Sequence, residues 1–281
     1  MIALASAHGT NGTAEPSPEQ RSTDPLEYVS ASRLKNFLSC RLRFYFEKVL
    51  ALKRPLASKL HFGKAVHAGI QHYNKARWRG GDASEPAVLA AFAESFAHPE
   101  GDVPVAWKKP EEEAELKAKG DLVLAAFLTH QQHVIEPQPM GVEVKVTAEL
   151  PWLALPLLGI IDLVKADRRA VDYKTIGATP DLELEAWQHE MQLTLYAILI
   201  EDATGEPSPG NELVFLVKTK VPKVLVHRTP APSPVQRDRF AKLVETYATE
   251  VANERYYPSP GMQCGWCSFR NECSRWKGGR L

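Results

Sequence analysis

The sequence predicts an α/β protein with a mixed central β-sheet flanked by helices. Three observations lead there. Amphipathic helical stretches fill the first half of the 281 residues, a set of short apolar strand-like runs follows, and a long helix closes the pattern. The composition, 44% hydrophobic and 24% charged, is that of an ordinary globular chain with ample core.

Each element has its own signal. Ser30 is positioned as the N-cap of a helix through Val49, with Leu34, Phe37, Leu38, Leu42, Tyr45 and Phe46 on one broad face. A second helix is expected from about Leu60 to Trp78, before Gly80-Gly81. Helices near Glu85–Ala97 and Glu111–His133 flank a Pro- and Gly-containing connection, so residues 80–135 read as a helical insertion. Val142–Leu150 alternates as a half-buried strand does.

The runs Leu157–Val164 and Ala170–Lys174 have the length and β-branched content of buried strands. The polar turn Lys165–Arg169 between them suits a hairpin. A helix is expected from Leu184 to Ile200, then a strand pair at Glu212–Lys218 and Lys223–Arg228. Ser233-Pro234 starts a helix running to Glu254. From Tyr257 onward the chain is rich in Pro, Gly and Cys and has no periodicity. Residues 1–25 read as a disordered tail, 26–281 as one domain and 257–276 as a Cys-rich segment. Met1–Glu19 lacks the basic start and apolar stretch of a secretory signal, and no apolar run reaches membrane-spanning length, so a cytoplasmic location is expected.

Formal net charge is zero, but the charges are segregated. Between Arg33 and Lys64 there are nine Lys or Arg residues and one acid, Glu47, whereas Glu111, Glu112, Glu113 and Glu115 cluster further on. Such segregation gives a local positive field on a neutral chain.

The chemistry concentrates in the two central strands. Gly159-Ile160-Ile161-Asp162 is followed by Asp172-Tyr173-Lys174, placing two acids and a lysine inside apolar sequence. Burying a carboxylate is costly unless it is paired or binds metal. The group is therefore either an ion-pair cluster or a metal-dependent hydrolytic site. Period-two alternation puts Asp172 and Lys174 on one side of their strand. Lysine is a cation near neutral pH, so Lys174 suits orienting water and stabilising negative charge better than acting as a base.

All four cysteines fit one arrangement: Cys264-x2-Cys267-x5-Cys273, with Cys40 in the first helix. That is ligand spacing, and four thiolates suit either tetrahedral zinc or an iron–sulfur cluster. With Cys40 as fourth ligand, the centre clasps the first helix to the C-terminal tail and is mainly structural.

Taken together these residues resemble the RecB-like branch of the PD-(D/E)xK nucleases, and within it the iron–sulfur members typified by the AddB nuclease domain and the CRISPR-associated exonucleases. The likeness runs over about residues 28–276 in five signals: Ser30–Leu34 leading to Cys40, Gly63-x3-His67, Gly159-x2-Asp162 with Asp172-x-Lys174, Gln192-x3-Tyr196, and the cysteine triplet. It departs at Leu163, where many relatives have Arg, and at Arg41, where Pro is frequent.

The resemblance implies a restriction-endonuclease-like core, a metal-dependent DNA nuclease favouring single-stranded ends, and a [4Fe–4S] cluster on Cys40, Cys264, Cys267 and Cys273. It implies that Asp162, Asp172, the Tyr173 carbonyl and His67 bind Mg2+ or Mn2+, with Glu143 as a further acid. Lys174, Gln192 and Tyr196 complete the catalytic group. Arg33, Lys35, Arg41 and Lys64 are candidate DNA contacts in the basic segment. DNA is the implied partner, in repair, recombination, phage or CRISPR processing within a bacterial or phage-infected cell. No G-x4-G-K-[S/T] occurs, so unwinding would come from a helicase or recombination partner. The competing reading is a non-catalytic DNA-binding module with a four-cysteine zinc site and the acids as structural ion pairs.

Overall fold

The structure, a computed structural model, describes residues 24–101, 103–134 and 136–278. The tail expected over residues 1–25 lies outside them except for Asp24 and Pro25. The described chain forms two compact units. One comprises Pro55–Val146 and Ile160–Pro232, and the other comprises 24–54, Thr147–Gly159 and 233–278.

Five strands make one sheet in the order β3 (Gly141–Ala148), β4 (Leu157–Val164), β5 (Ala170–Ile176), β6 (Asn211–Val217), β7 (Lys223–Thr229). β1 (Leu56–Ala57) and β2 (Val105–Ala106) form a separate small parallel pair that the sequence did not announce. The sheet is mixed. β4 and β5 are antiparallel, β5 and β6 parallel with Lys174 opposite Phe215, and β6 and β7 antiparallel. β6 is buried at every position, as a central strand covered on both faces must be.

Its alternation divides the core of the first unit. Val214 and Leu216 join Leu163, Val171 and the Tyr173 ring beneath α3 (Ser58–Arg79), α4 (Glu85–Ala97) and α5 (Glu112–Gln131). Leu213, Phe215 and Val217 pack instead with Leu193 of α7 (Glu190–Thr204) and Leu182 of α6 (Leu182–Gln188). Helices on both faces of a mixed sheet give the expected α/β architecture. α4 and α5 share the apolar cluster of α3. Gly120 permits the approach: a Cβ there would lie 2.0 Å from the Phe92 ring.

Three helical expectations are corrected. The helix expected from Ser30 to Val49 is broken. Ser30 does cap α1 (Ala31–Ser39), its hydroxyl accepting from the Arg33 N–H, but Cys40 adopts extended backbone, φ −167° and ψ 110°. The chain restarts as α2 (Arg41–Phe44) and a π-turn over Tyr45–Val49. The helix expected from Leu184 to Ile200 is two helices, α6 capped by Asp181 and α7. They meet at His189, whose ring Nδ1 donates to the Glu185 carbonyl at 2.9 Å.

The tail after Tyr257, read as aperiodic, contains a 3-10 turn at Met262–Trp266 and α9 (Arg270–Arg275). Before it comes α8 (Pro234–Ala252), capped by Ser233 with Gln236 answering. In the second unit, Leu42, Tyr45, Phe46 and Phe269 form a cluster against which Cys40, Cys267 and Cys273 pack. Among the described residues, no helix is long and apolar enough to cross a membrane.

Candidate active site

The site lies where the antiparallel β4–β5 ladder opens. Val164 pairs with Ala170 and Leu163 with Val171. Continued in register, the ladder would next offer the Ile161 carbonyl to the Tyr173 N–H. Instead the Asp162 carboxylate takes that N–H, Oδ2 accepting at 2.8 Å. On the strand leaving the ladder, the Ile160 carbonyl accepts from the Tyr196 hydroxyl at 2.9 Å. The Asp162 carboxylate thus satisfies the N–H that the open ladder leaves, and the Tyr196 hydroxyl satisfies the Ile160 carbonyl, as buried polar groups require. The opening gives the carboxylate a place inside the sheet.

Gln192 joins the pieces. Its Nε2 donates to Asp172 Oδ1 and to the Tyr196 hydroxyl, both at 2.8 Å, while its Oε1 accepts from Lys174 Nζ at 3.2 Å. Gln192 and Tyr196 are one turn apart on α7, so they present one face to the strand. Lys174 Nζ also lies 2.7 Å from Asp172 Oδ2. That oxygen is buried and has the ammonium as a charge partner, but the angle makes no hydrogen bond.

On the other side of the opening, His67 Nδ1 lies 3.6 Å from Asp162 Oδ2. His67, Glu143, Asp162, Tyr173, Lys174 and Thr175 line a cavity of about 790 Å³. Asp172, Gln192 and Tyr196 are not cavity walls; they hold Lys174 from behind. Glu143 enters because β3 departs from regular alternation: its φ is +52°, in the left-handed region that a glutamate rarely adopts.

Charge is concentrated here against solvation. Burial pushes the Asp162 carboxyl up from 3.8 to about 6, with Asp172 and Glu143 adding repulsion, while His67 and the Tyr173 N–H pull it down. Burial also raises Glu143, opposed by His67 and Lys75. The Tyr196 hydroxyl is raised by burial and then by the two aspartates, so it remains a donor. Acids pressed together out of water, one with a buried oxygen lacking a hydrogen bond, fit a hard dication that takes oxygen ligands. Among the described residues, no group of three or more His, Cys, Asp or Glu side chains stands close enough together to hold a metal ion as it is.

The cysteines occupy a separate place in the second unit. Cys40 Sγ accepts from the Ser259 N–H at 3.5 Å. Burial raises the Cys273 thiol, and Cys40, Cys267 and Cys264 raise it further. Cys40, Cys267 and Cys273 pack against one apolar cluster, while Cys264 is exposed. The basic candidates are placed diversely. Arg33 is buried over the Tyr28 ring and donates to the Asp24 and Tyr28 carbonyls. Arg41 pairs with Glu250 at 2.8 Å and stacks on Phe37 and Tyr257. Lys35 is exposed, and Lys64 pairs with Glu100 beside the cavity. Arg33 and Arg41 thus have partners within the protein.

Lys59 and Gln71 are cavity residues that were not singled out from the sequence; with Gly63 and His67 they recur every fourth residue of α3 and line one wall. The i, i+4 stripe of polar and small residues opposite the apolar face was the available signal. Asn74, which donates to the Tyr173 hydroxyl at 3.1 Å, continues α3 behind that wall.

A mixed sheet between helix layers, with two acids and a lysine at an opened ladder, defines a restriction-endonuclease-like core. Residues 28–274 match the family model of the PD-(D/E)XK nuclease superfamily, and the chain belongs to that superfamily. It is a nuclease by family. Among solved structures it is similar to a protein from Eubacterium rectale provisionally assigned as an exonuclease, at 14% identity and TM-score 0.59, covering 96% of each chain. That likeness concerns the fold. The protein SSO0001 is more distant, at 14% identity and TM-score 0.37 over 86% of this chain and 92% of that one. No curated protein matches the chain in sequence.

Proposed function

We propose that the chain is a divalent-metal-dependent deoxyribonuclease, an exonuclease acting on single-stranded ends, with a structural [4Fe–4S] cluster on Cys40, Cys264, Cys267 and Cys273. We further propose that residues 26–281 act as one nuclease. The observation that carries the catalytic reading is the convergence of Asp162, Asp172, Lys174 and His67 at the opened ladder. Asp162, Asp172 and the Tyr173 carbonyl would hold Mg2+ or Mn2+, with His67 and Glu143 completing the set. The ion would neutralise phosphoryl oxygens and favour an ionised water near neutral pH.

The protein's own groups do the remaining work. Lys174 has three N–H donors, one of them hydrogen-bonded to Gln192, and its ammonium is held as a charge partner 2.7 Å from Asp172 Oδ2. A further donor would orient the attacking water or steady charge on the phosphoryl oxygen. Asp172, tied down by Gln192, keeps the ammonium in place, so little reorganisation is needed as charge develops. Tyr196 holds the departing strand through Ile160 and keeps Asp162 at its post. Exonuclease action on single strands is carried over from the family likeness and from the name of the Eubacterium rectale protein. Repair, recombination or phage and CRISPR processing, with a helicase partner, belong to the same proposal.

End-labelled single- and double-stranded DNA, incubated with and without Mg2+ or Mn2+, tests this reading. Stepwise loss of end label from single strands, only with metal, is expected. Absence of cleavage under every condition would favour the binding-module reading. The cluster is tested separately by visible absorption of anaerobically purified protein: a colourless protein with zinc on its thiolates would reject iron–sulfur without touching the nuclease.

A further inference from the structure

The basic character of the catalytic cavity's edge is uneven. Lys64 is neutralised by Glu100. Elsewhere, three lysines gather with no ion pair to an acid among the described residues. Lys59, on the first turn of α3, is exposed and lines the cavity. Lys218 directly follows β6, and its N–H donates to the Ile176 carbonyl at 2.8 Å, so it stands beside the end of the strand that carries Asp172 and Lys174. Its ammonium lies 4.3 Å from the centroid of the Phe62 ring. Phe62 is fully buried and adjoins Gly63 of the cavity wall.

Ala57 pairs with Ala106, and Ser58 and the Lys108 N–H share the Glu112 carboxylate, which brings Lys59 and Lys108 together. Burial lowers the Lys218 pKa, and repulsion from these two lysines lowers it further. The nearby acid, Glu112, has its carboxylate engaged by the Ser58 hydroxyl at 2.9 Å and by the Lys108 backbone N–H. Glu112 offsets part of that charge, and three cations against it leave a positive excess beside the acid-lined cavity. A bound anion relieves that repulsion.

Resting on the nuclease reading above, we infer that Lys218, Lys59 and Lys108 form a phosphate-holding step beside the catalytic cavity, gripping the DNA strand at a phosphate next along from the one being cut. Lysine suits the role, because a compact ammonium holds phosphate as a point charge and carries no base preference. Phe62 beneath Lys218 fixes the height of the step through its ring face.

The test is steady-state cleavage of a labelled single strand across a salt series, comparing wild type with Lys218→Met, Lys218→Arg and the double variant Lys59→Met/Lys218→Met. Methionine keeps an apolar stem over Phe62. For Lys218→Met, KM is expected to rise roughly three- to fivefold while kcat moves less than twofold. The slope of log kcat/KM against log salt should flatten by about 0.7, and by about 1.4 in the double variant. Arginine at 218 should restore both. A wild-type slope in Lys218→Met, or failure of arginine to restore it, overturns the step while leaving the nuclease standing. A wild-type protein that cuts no DNA removes both.

Discussion

Asp162→Asn should make the metal-free protein more stable while abolishing its activity. Burial pushes the Asp162 carboxyl from 3.8 to about 6, and the side chain is only 15% exposed. The displacement corresponds to on the order of 3 kcal/mol. Because the folded value lies above the unfolded one, the fold holds the proton more tightly than the unfolded chain does. Stability is therefore full below about pH 4 and is lost as pH rises through about 6.

Asparagine is nearly isosteric, can accept the Tyr173 N–H, and carries no charge to desolvate. Thermal unfolding in chelator at pH 8 should show Asp162→Asn more stable by up to about 3 kcal/mol, or roughly 6–12 °C in Tm. About half of that difference should remain at pH 5. Saturating divalent metal should reverse the order, since only the wild type gains from binding. A variant no more stable than wild type at pH 8, or a difference independent of pH, would refute the reasoning that an unneutralised carboxylate is stored in the sheet.

Further consequences are checked independently. Gln192→Ala should lower kcat about ten- to a hundredfold, because Lys174 and Asp172 lose their shared partner; single-turnover cleavage reads it. Gly120→Ala should destabilise the first unit by about 1–3 kcal/mol in denaturant unfolding, since the added methyl meets the Phe92 ring at 2.0 Å. Cys40→Ser should remove the visible absorption of the proposed cluster and lower Tm, while cleavage by the surviving folded protein persists.

The strands were legible because alternation and β-branched runs survive in the sequence: Leu157–Val164 stands as read, and β5 extends two residues past the expected Lys174, to Ile176. The residues of the site were legible as types, since two acids and a lysine in apolar strands are costly without a purpose. Their arrangement was not. Asp162 reaches its post because the β4–β5 ladder opens, and Glu143 does so through a positive φ; neither is written in a period-two pattern. The helix breaks at Cys40 and His189 were missed for a related reason. Apolar periodicity runs through both positions, and the interruption lies in the backbone, extended at Cys40 and at φ −103°, ψ 2° at His189. In the basic segment Arg33 and Arg41 stack on aromatic rings, and charge counting cannot distinguish a stacked guanidinium from a solvated one.

The most direct measurement is single-turnover cleavage of a labelled strand by Lys174→Met in saturating Mg2+ or Mn2+. The ammonium 2.7 Å from Asp172 Oδ2 should be worth at least about a hundredfold in rate, with DNA still bound. Cleavage by Lys174→Met at the wild-type rate would contradict the account.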